Sequence, residues 1–241
     1  MALIDQQLDI EATPSPEGLF LYDLSLDELM KMDAEIVAAV ETQMEPGVVS
    51  VVAVPGSSRL ANLGRTYEVV GGLKTMPEVM GPYEASSTFL YVIDRSQEGS
   101  ADPNIKHIFR ITHPNPYATI DGGVPTGISA LDDFITLFPQ HPLSEVAERY
   151  GEGSDDCLEQ FAAIDAQVTT VPGNPLHSVY TAFGYKAIQR YSAENGITHI
   201  FAAFNKLTTR SLERVGVGFE RYFDQTDYAI PNADDQLPDD S

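Results

Sequence analysis

The stretch from residue 161 to residue 222 constrains the fold of this 241-residue chain more than any other. Its pattern predicts, in order, a strand, a loop, a long helix, an apolar strand, a short helix and a strand. The first strand, Phe161–Val171, alternates polar and apolar residues. This alternation places Asp165, Gln167 and Thr169 on one face of the strand.

A long helix and a second strand follow. The loop 172–175 holds two prolines and a glycine, and from Leu176 onward apolar residues recur at spacings of three and four, as in an amphipathic helix. Asn195 and Gly196 suit the end of that helix. The strand 197–204 is apolar on both faces, which is typical of a central strand in a covered parallel sheet. Such a unit directs a helix N-terminus outward, where backbone amides bind anions.

These features resemble the acyl-CoA-binding half of the GNAT acyltransferase superfamily. That family joins a strand and a phosphate-binding loop to a helix, and then to a second strand that ends in asparagine. Asn205 and Gly216 stand at the usual spacing. The loop 172–178 departs from the family because it keeps one glycine and adds two prolines, and Leu212 replaces a common tyrosine. A side branch tolerates both departures: the acyl-homoserine-lactone synthases and the long-chain N-acyl amino acid synthases.

The resemblance implies an α/β fold with a mixed, mostly antiparallel sheet, a central splayed parallel strand pair and flanking helices. It implies one domain over residues 19–228. Residues 1–18 have little to bury and are predicted to form a flexible tail, and residues 229–241 an acidic tail. The implied activity is N-acyl transfer from acyl-CoA, or from the phosphopantetheine of acyl carrier protein, to a primary amine of a small metabolite such as an amino acid. A plain acetyltransferase and a catalytically silent binding module remain open alternatives.

The resemblance also suggests cofactor-binding residues on the strand, the loop, the helix start and the second helix: Val168, Val171, Gly173, Asn174, His177, Ser178, Asn205 and Arg210. In the second helix, Lys206, Arg210 and Arg214 stand four apart and form a basic stripe suited to phosphates. A solvated helix face is the alternative interpretation of that stripe.

Three residues are predicted to be catalytic. Asp165 is the only carboxylate within the two predicted central strands, and acyl transfer to an amine needs a proton acceptor. A solvent-facing strand carboxylate is the alternative interpretation of Asp165. The front half of the chain resembles the synthase branch through Arg65, Tyr83 with Glu84, and Arg110. This makes Glu84 a rival base and Arg110 a further site residue.

The amino-acid composition limits which partners and metal ions the chain is expected to bind. The chain has 36 Asp and Glu against 14 Lys and Arg, a net charge of −22, so nucleic acid is a poor partner. Its single Cys157 excludes an internal disulfide. No two histidines have metal-ligand spacing with carboxylates, so no metal is predicted. The sequence has no apolar run of membrane-spanning length and no signal pattern, and we expect a cytoplasmic protein.

The front half of the chain is predicted to contain a helix and a hairpin. Ser25 opens a capping box, and the helix is predicted to run to about Gln43. Residues 55–62 are predicted to be a loop and Thr66–Val70 an extended segment. The strands 89–94 and 106–112, joined by a polar loop, are predicted to form the hairpin.

Overall fold

The structure is a computed structural model, and it describes most of the chain between residues 26 and 218. The described residues are 5–7, 26–40, 49–71, 83, 86–94, 103–115, 126–139, 142–150, 155–202, 204, 206–214 and 216–218. The chain divides into two compact units, residues 1–203 and residues 204–241, at a point inside the segment predicted to be one domain.

The first unit combines a sheet with helices. Its described strands are β1 (Asp5–Gln7), β2 (Ser50–Pro55), β3 (Ser87–Ile93), β4 (Ile105–Thr112), β5 (Phe161–Thr169) and β6 (His199–Ala202). Its described helices are α1 (Leu26–Val40), α2 (Ala61–Val70), α3 (Ser129–Leu137), α4 (Leu143–Tyr150), a 3-10 helix (Asp155–Gln160) and α5 (His177–Glu194). The second unit contains α6 (Lys206–Arg214).

The strands lie side by side in sequence order, from β1 to β6. The neighbours from β2 to β5 are antiparallel, whereas β1 with β2 and β5 with β6 are parallel. This confirms the predicted α/β fold with a mixed, mostly antiparallel sheet and a parallel pair. The predicted hairpin is also confirmed, as β3 and β4. Asp5–Gln7, within the predicted tail, pairs with β2 as β1.

The parallel pair of β5 and β6, predicted to be central, lies at an edge of the sheet as far as the described strands extend. β6 has β5 as its neighbour and ends the strand order, and its four residues are only partly buried. The predicted strand after it, 217–223, lies outside the described residues from residue 219 onward. Within the described part of the chain, the expectation of a covered central strand at 197–204 is therefore not met.

The prediction for residues 55–70 is wrong, because Ala61–Val70 is the helix α2 and not a loop followed by an extended segment. Gly64 and the β-branched Thr66 and Val69 disfavour a helix in isolation. Packing overrides this preference. A Cβ on Gly64 would lie 2.3 Å from a ring carbon of Phe89, so the missing side chain lets α2 approach β3 closely.

Helices cover both faces of the sheet. On one face, α1 and α2 pack on a buried apolar cluster that includes Ile36, Leu63, Phe89 and Ile108. Phe109 follows Ile108 in β4 and therefore points to the opposite face. There its ring lies 5.3 Å from that of Tyr185 in α5, and Gly184 leaves the room that the Phe109 ring occupies. We call these the α2 face and the α5 face.

Candidate functional site

The described pairing of β5 with β6 ends at Ile164. The parallel register runs from Phe161 opposite His199 to Ile164 opposite Ala202, and the described pairing goes no further. Beyond this point β5 continues to Thr169 paired with β4. The register of β4 and β5 shifts at the same place. Arg110 pairs with Ala166 but its neighbour Ile111 pairs with Ile164.

Asp165 is the extra residue of this β-bulge. Bulges redirect a side chain and are over-represented next to active sites. The bulge also explains why one sequence prediction is wrong. Asp165 and Gln167 do not share a face, because Asp165 Oδ2 lies 3.5 Å from Arg110 Nε, whereas Gln167 Oε1 accepts a 2.8 Å hydrogen bond from Tyr185 Oη. The extra residue turns the Asp165 carboxylate from the α5 face to the α2 face.

Arg110, Glu68 and Asp165 form a buried charge cluster on the α2 face, which we call the Arg110 cluster. Arg110 Nη1 donates a 3.2 Å hydrogen bond to Glu68 Oε2. The side chains of Arg110, Glu68 and Asp165 are 0%, 1% and 7% exposed. The Arg110 guanidinium thus stands between two carboxylates, one from α2 and one from the bulge. The structure therefore brings together the predicted Asp165 and Arg110.

Glu68 was not among the site residues predicted from the sequence. It stands three residues after Arg65, so both lie on the same side of α2. That spacing is visible in the sequence. It does not place the two residues on the same side of a segment that is interpreted as extended. The buried Arg65 donates to Asn62 Oδ1 at 2.8 Å and to the carbonyl oxygen of Gly56. Arg65 thus anchors α2 to the end of β2.

Phe89 lies between the two arginines. The Cζ atoms of Arg65 and Arg110 are each 5.5 Å from the centroid of its ring. An aromatic face at this distance attracts a guanidinium group, most strongly where water is excluded. Phe89 therefore helps to hold both cations, including the one beside Asp165.

Tyr83 adds a phenol group near Asp165. Burial is the largest cause that raises the pKa of the Tyr83 hydroxyl. The pKa is raised further by Asp132, through both its charge and a hydrogen bond. The charges of Asp133 and Asp165 raise it as well. The hydroxyl therefore keeps its proton at neutral pH and remains a hydrogen-bond donor. Glu84, the predicted rival base, lies outside the described residues.

The predicted phosphate loop follows β5, as expected, and Val168 and Val171 on its strand side are buried. Gly173 has φ +81°, a left-handed conformation that favours glycine. Several loop amides donate within the loop, namely Asn174 N to Val171 O, Leu176 N to Asn174 Oδ1, His177 N to Asn174 O and Val179 N to Leu176 O. Gly173, His177 and Ser178 are exposed. The loop is thus accessible, but several of its amides already have acceptors.

The remaining predicted cofactor residues belong to the second unit. Asn205 lies outside the described residues. Arg210 is exposed on α6, as is Arg214, so this part of the basic stripe faces solvent.

His113, just after β4, forms a separate polar group with Tyr191 of α5. His113 Nε2 lies 3.1 Å from Tyr191 Oη, which also lies 3.2 Å from Thr88 Oγ1. Burial lowers the pKa of His113 from 6.5 to about 4. The imidazole is therefore neutral in the folded protein at neutral pH.

We expect His113 to make folding stability fall as the pH drops from about 6.5 to about 4. Its pKa is lower in the folded protein, so in this window the unfolded chain binds the proton first and is favoured. His113→Gln keeps a hydrogen-bonding partner for Tyr191 but does not titrate. Urea unfolding at pH 7 and pH 5 measures this effect. Between these two pH values, the free energy of unfolding of the parent should fall by about 1–2 kcal/mol more than that of the variant. Equal losses in the two proteins would contradict the assignment.

Two classes of site are not found within the described residues. There, no group of three or more His, Cys, Asp and Glu side chains could hold a metal ion. No helix in that part of the chain combines the length and apolar character needed to cross a membrane. The chain matches no protein-family model, no curated protein and no solved structure.

Proposed function

We propose that the chain is an N-acyltransferase of the GNAT type, which moves an acyl group from acyl-CoA or acyl carrier protein to a primary amine of a small metabolite such as an amino acid. One observation carries this proposal. The described pairing of the parallel strands β5 and β6 ends at Ile164, and the next residue, Asp165, is a bulged carboxylate held against the buried Arg110. A thioester arm entering where the strands part would bring its carbonyl next to that carboxylate.

In this proposal Asp165 accepts the proton that the attacking amine loses. Arg110 and Glu68 are positioning residues, because they are too deeply buried to reach a substrate and they hold the carboxylate in place. Backbone amides along the parted half of β5 stabilise the oxyanion.

The exposed loop 172–178 and the start of α5 are the proposed binding site for the phosphates of the acyl donor. The N-terminal end of an 18-residue helix carries a partial positive charge that attracts phosphate. The amides of the loop must exchange their internal acceptors for phosphate oxygens when the donor binds. Part of the binding free energy is therefore spent on this exchange.

The internally bonded loop favours a second candidate, a catalytically silent module with the same fold. If the loop keeps its own hydrogen bonds, then the chain binds a partner or ligand without acyl transfer. A plain acetyltransferase is the alternative within the enzyme class.

A thermal-unfolding panel with CoA, acetyl-CoA, octanoyl-CoA and palmitoyl-CoA tests the proposal. We expect the longer acyl chains to stabilise the protein most, because each buried methylene contributes about 0.8 kcal/mol before losses. Equal shifts with acetyl- and octanoyl-CoA would indicate the plain acetyltransferase. Stabilisation without thiol release in the presence of amino acids would contradict acyl transfer to amino acids. No shift with any thioester would contradict the acyltransferase and favour the silent module.

A matched pair of variants tests the phosphate site in the same panel. Ser178→Glu adds a negative charge to the exposed first turn of α5, whereas Gln189→Glu adds it to an exposed position farther along the helix. We expect Ser178→Glu to weaken the stabilisation by every CoA compound and Gln189→Glu to leave it unchanged. Equal behaviour of the two variants would place the phosphates elsewhere.

A further inference from the structure

His107 is a buried histidine whose ring has no polar contact within the described part of the chain. It lies on β4, two residues before Phe109 and on the same α5 face, and is 1% exposed. Neither Nδ1 nor Nε2 has a hydrogen-bond partner among the described residues. Buried polar atoms in folded proteins are nearly always paired with protein, water or an ion. Two unpaired nitrogens on one buried ring therefore need an explanation.

His177 supplies the second part of the arrangement. It is the first residue of α5, it is exposed, and its ring centroid lies 5.3 Å from that of His107. With metal–nitrogen bonds of about 2 Å and a tetrahedral angle, two imidazoles on one zinc ion have centroids about 5 Å apart. The separation of the two rings therefore permits both imidazoles to bind one ion.

We propose that His107 and His177 form a two-histidine site for a divalent transition metal ion of the zinc class. The other coordination positions are open to water or to a small exogenous ligand. The two residues are 70 positions apart in the chain, which is why the histidine spacing predicted no metal. Only the packing of the start of α5 on β4 brings them together. This site goes beyond the proposed acyl transfer and does not depend on it, but it shares the start of α5 with the proposed phosphate site, so Zn²⁺ and the acyl donor would compete there.

The chemistry of the site favours a cation over an anion. A neutral imidazole has one nitrogen with a free lone pair, and neither nitrogen of His107 has a hydrogen-bond partner among the described residues, so that lone pair is available to a metal ion. The amides of His177 and Val179 already donate within the loop. Imidazole is a good ligand for zinc, copper and nickel, and the net charge of −22 attracts cations. The partial positive charge at the start of α5 opposes a cation, so we expect weaker binding than at a closed three-ligand site.

Calorimetric titration with Zn²⁺ tests the proposal on the tag-free, full-length chain after treatment with chelator and dialysis. We expect one equivalent of Zn²⁺ to bind to the parent and to His199→Ala. In His177→Ala, we expect the heat of Zn²⁺ binding to be lost. His199 is the matched control because it is a partly buried histidine on β6, away from the pair. Co²⁺ should give the visible spectrum of a tetrahedral nitrogen-ligated ion in the parent and not in His177→Ala.

A second variant separates loss of the site from loss of the fold. His107→Leu removes a buried polar group that has no partner, so the metal-free variant should unfold at a temperature at least as high as the parent. It should nevertheless lose the Zn²⁺ heat. Zn²⁺ binding that persists in either His107→Leu or His177→Ala would overturn the proposal. So would the absence of any Zn²⁺ heat in the parent, or heat with inorganic phosphate but not with Zn²⁺.

Discussion

Replacing Arg110 by methionine should lower the free energy of unfolding by about 3–5 kcal/mol, the cost of leaving a buried charge without its counter-ion. Methionine fills much of the volume of arginine but removes the cation that stands between Glu68 and Asp165. Glu68 is 1% exposed, so water cannot take the place of the guanidinium. Urea unfolding, monitored by circular dichroism, measures the loss.

Two further variants show whether the cause is the unpaired charge. In Arg110→Met with Glu68→Leu, both members of the closest pair are apolar, and we expect at least half of the lost stability to return. Arg190→Met is the matched control, because Arg190 Nε contacts Glu194 at 3.0 Å but both side chains are about half exposed. It should cost less than about 1 kcal/mol. A similarly small effect of Arg110→Met would mean that the Arg110 cluster contributes little to stability.

Asp165→Asn should lower the rate of acyl transfer by about a hundredfold or more, the scale of a lost general base, and leave acyl-CoA binding intact. Asparagine has nearly the same shape as aspartate, so the bulge should persist, but its amide cannot accept the amine's proton. The measurement is thiol release from the thioester that stabilises the protein most, with a mixture of amino acids as acceptors. Binding is measured separately by thermal shift.

The same measurement on a variant of Glu84, the rival base, tests which carboxylate accepts the proton. If Glu84→Gln abolishes turnover while Asp165→Asn has no effect, then the proton acceptor is Glu84 and the bulged carboxylate has a structural role. Glu194→Gln, an exposed carboxylate on α5, is the control for a general effect of removing negative charge. If all three variants retain full turnover, general-base catalysis by either predicted carboxylate is excluded.

The two carboxylates of the Arg110 cluster are expected to have different roles, one in folding stability and the other in catalysis. Glu68 accepts a hydrogen bond from Arg110 Nη1 deep under α2, whereas Asp165 follows Ile164, the last residue of β5 with a described partner in β6. A substitution at Glu68 should therefore act mainly on folding, and one at Asp165 mainly on turnover. Because both carboxylates contact the same guanidinium, their effects on stability should not be additive.

Local sequence patterns were enough to predict several elements. β5 was predicted over Phe161–Val171 and is Phe161–Thr169, and the long helix was predicted from Leu176 and begins at His177. The hairpin of β3 and β4 follows from two apolar runs joined by a polar loop. In each case the signal lies within one element, as a regular spacing of apolar residues bounded by proline, glycine or asparagine.

Only the tertiary structure decided which side chains meet. A segment with one glycine and three β-branched residues became α2, because Gly64 allows the helix to pack against Phe89, and this is how Glu68 reaches Arg110. The face of Asp165 depends on one extra residue in the pairing of β5 with β4, which no alternation within β5 reveals. His107 and His177 meet through the packing of a helix on a strand. Amino-acid order determines local periodicity, whereas register and close packing depend on residues distant in the chain.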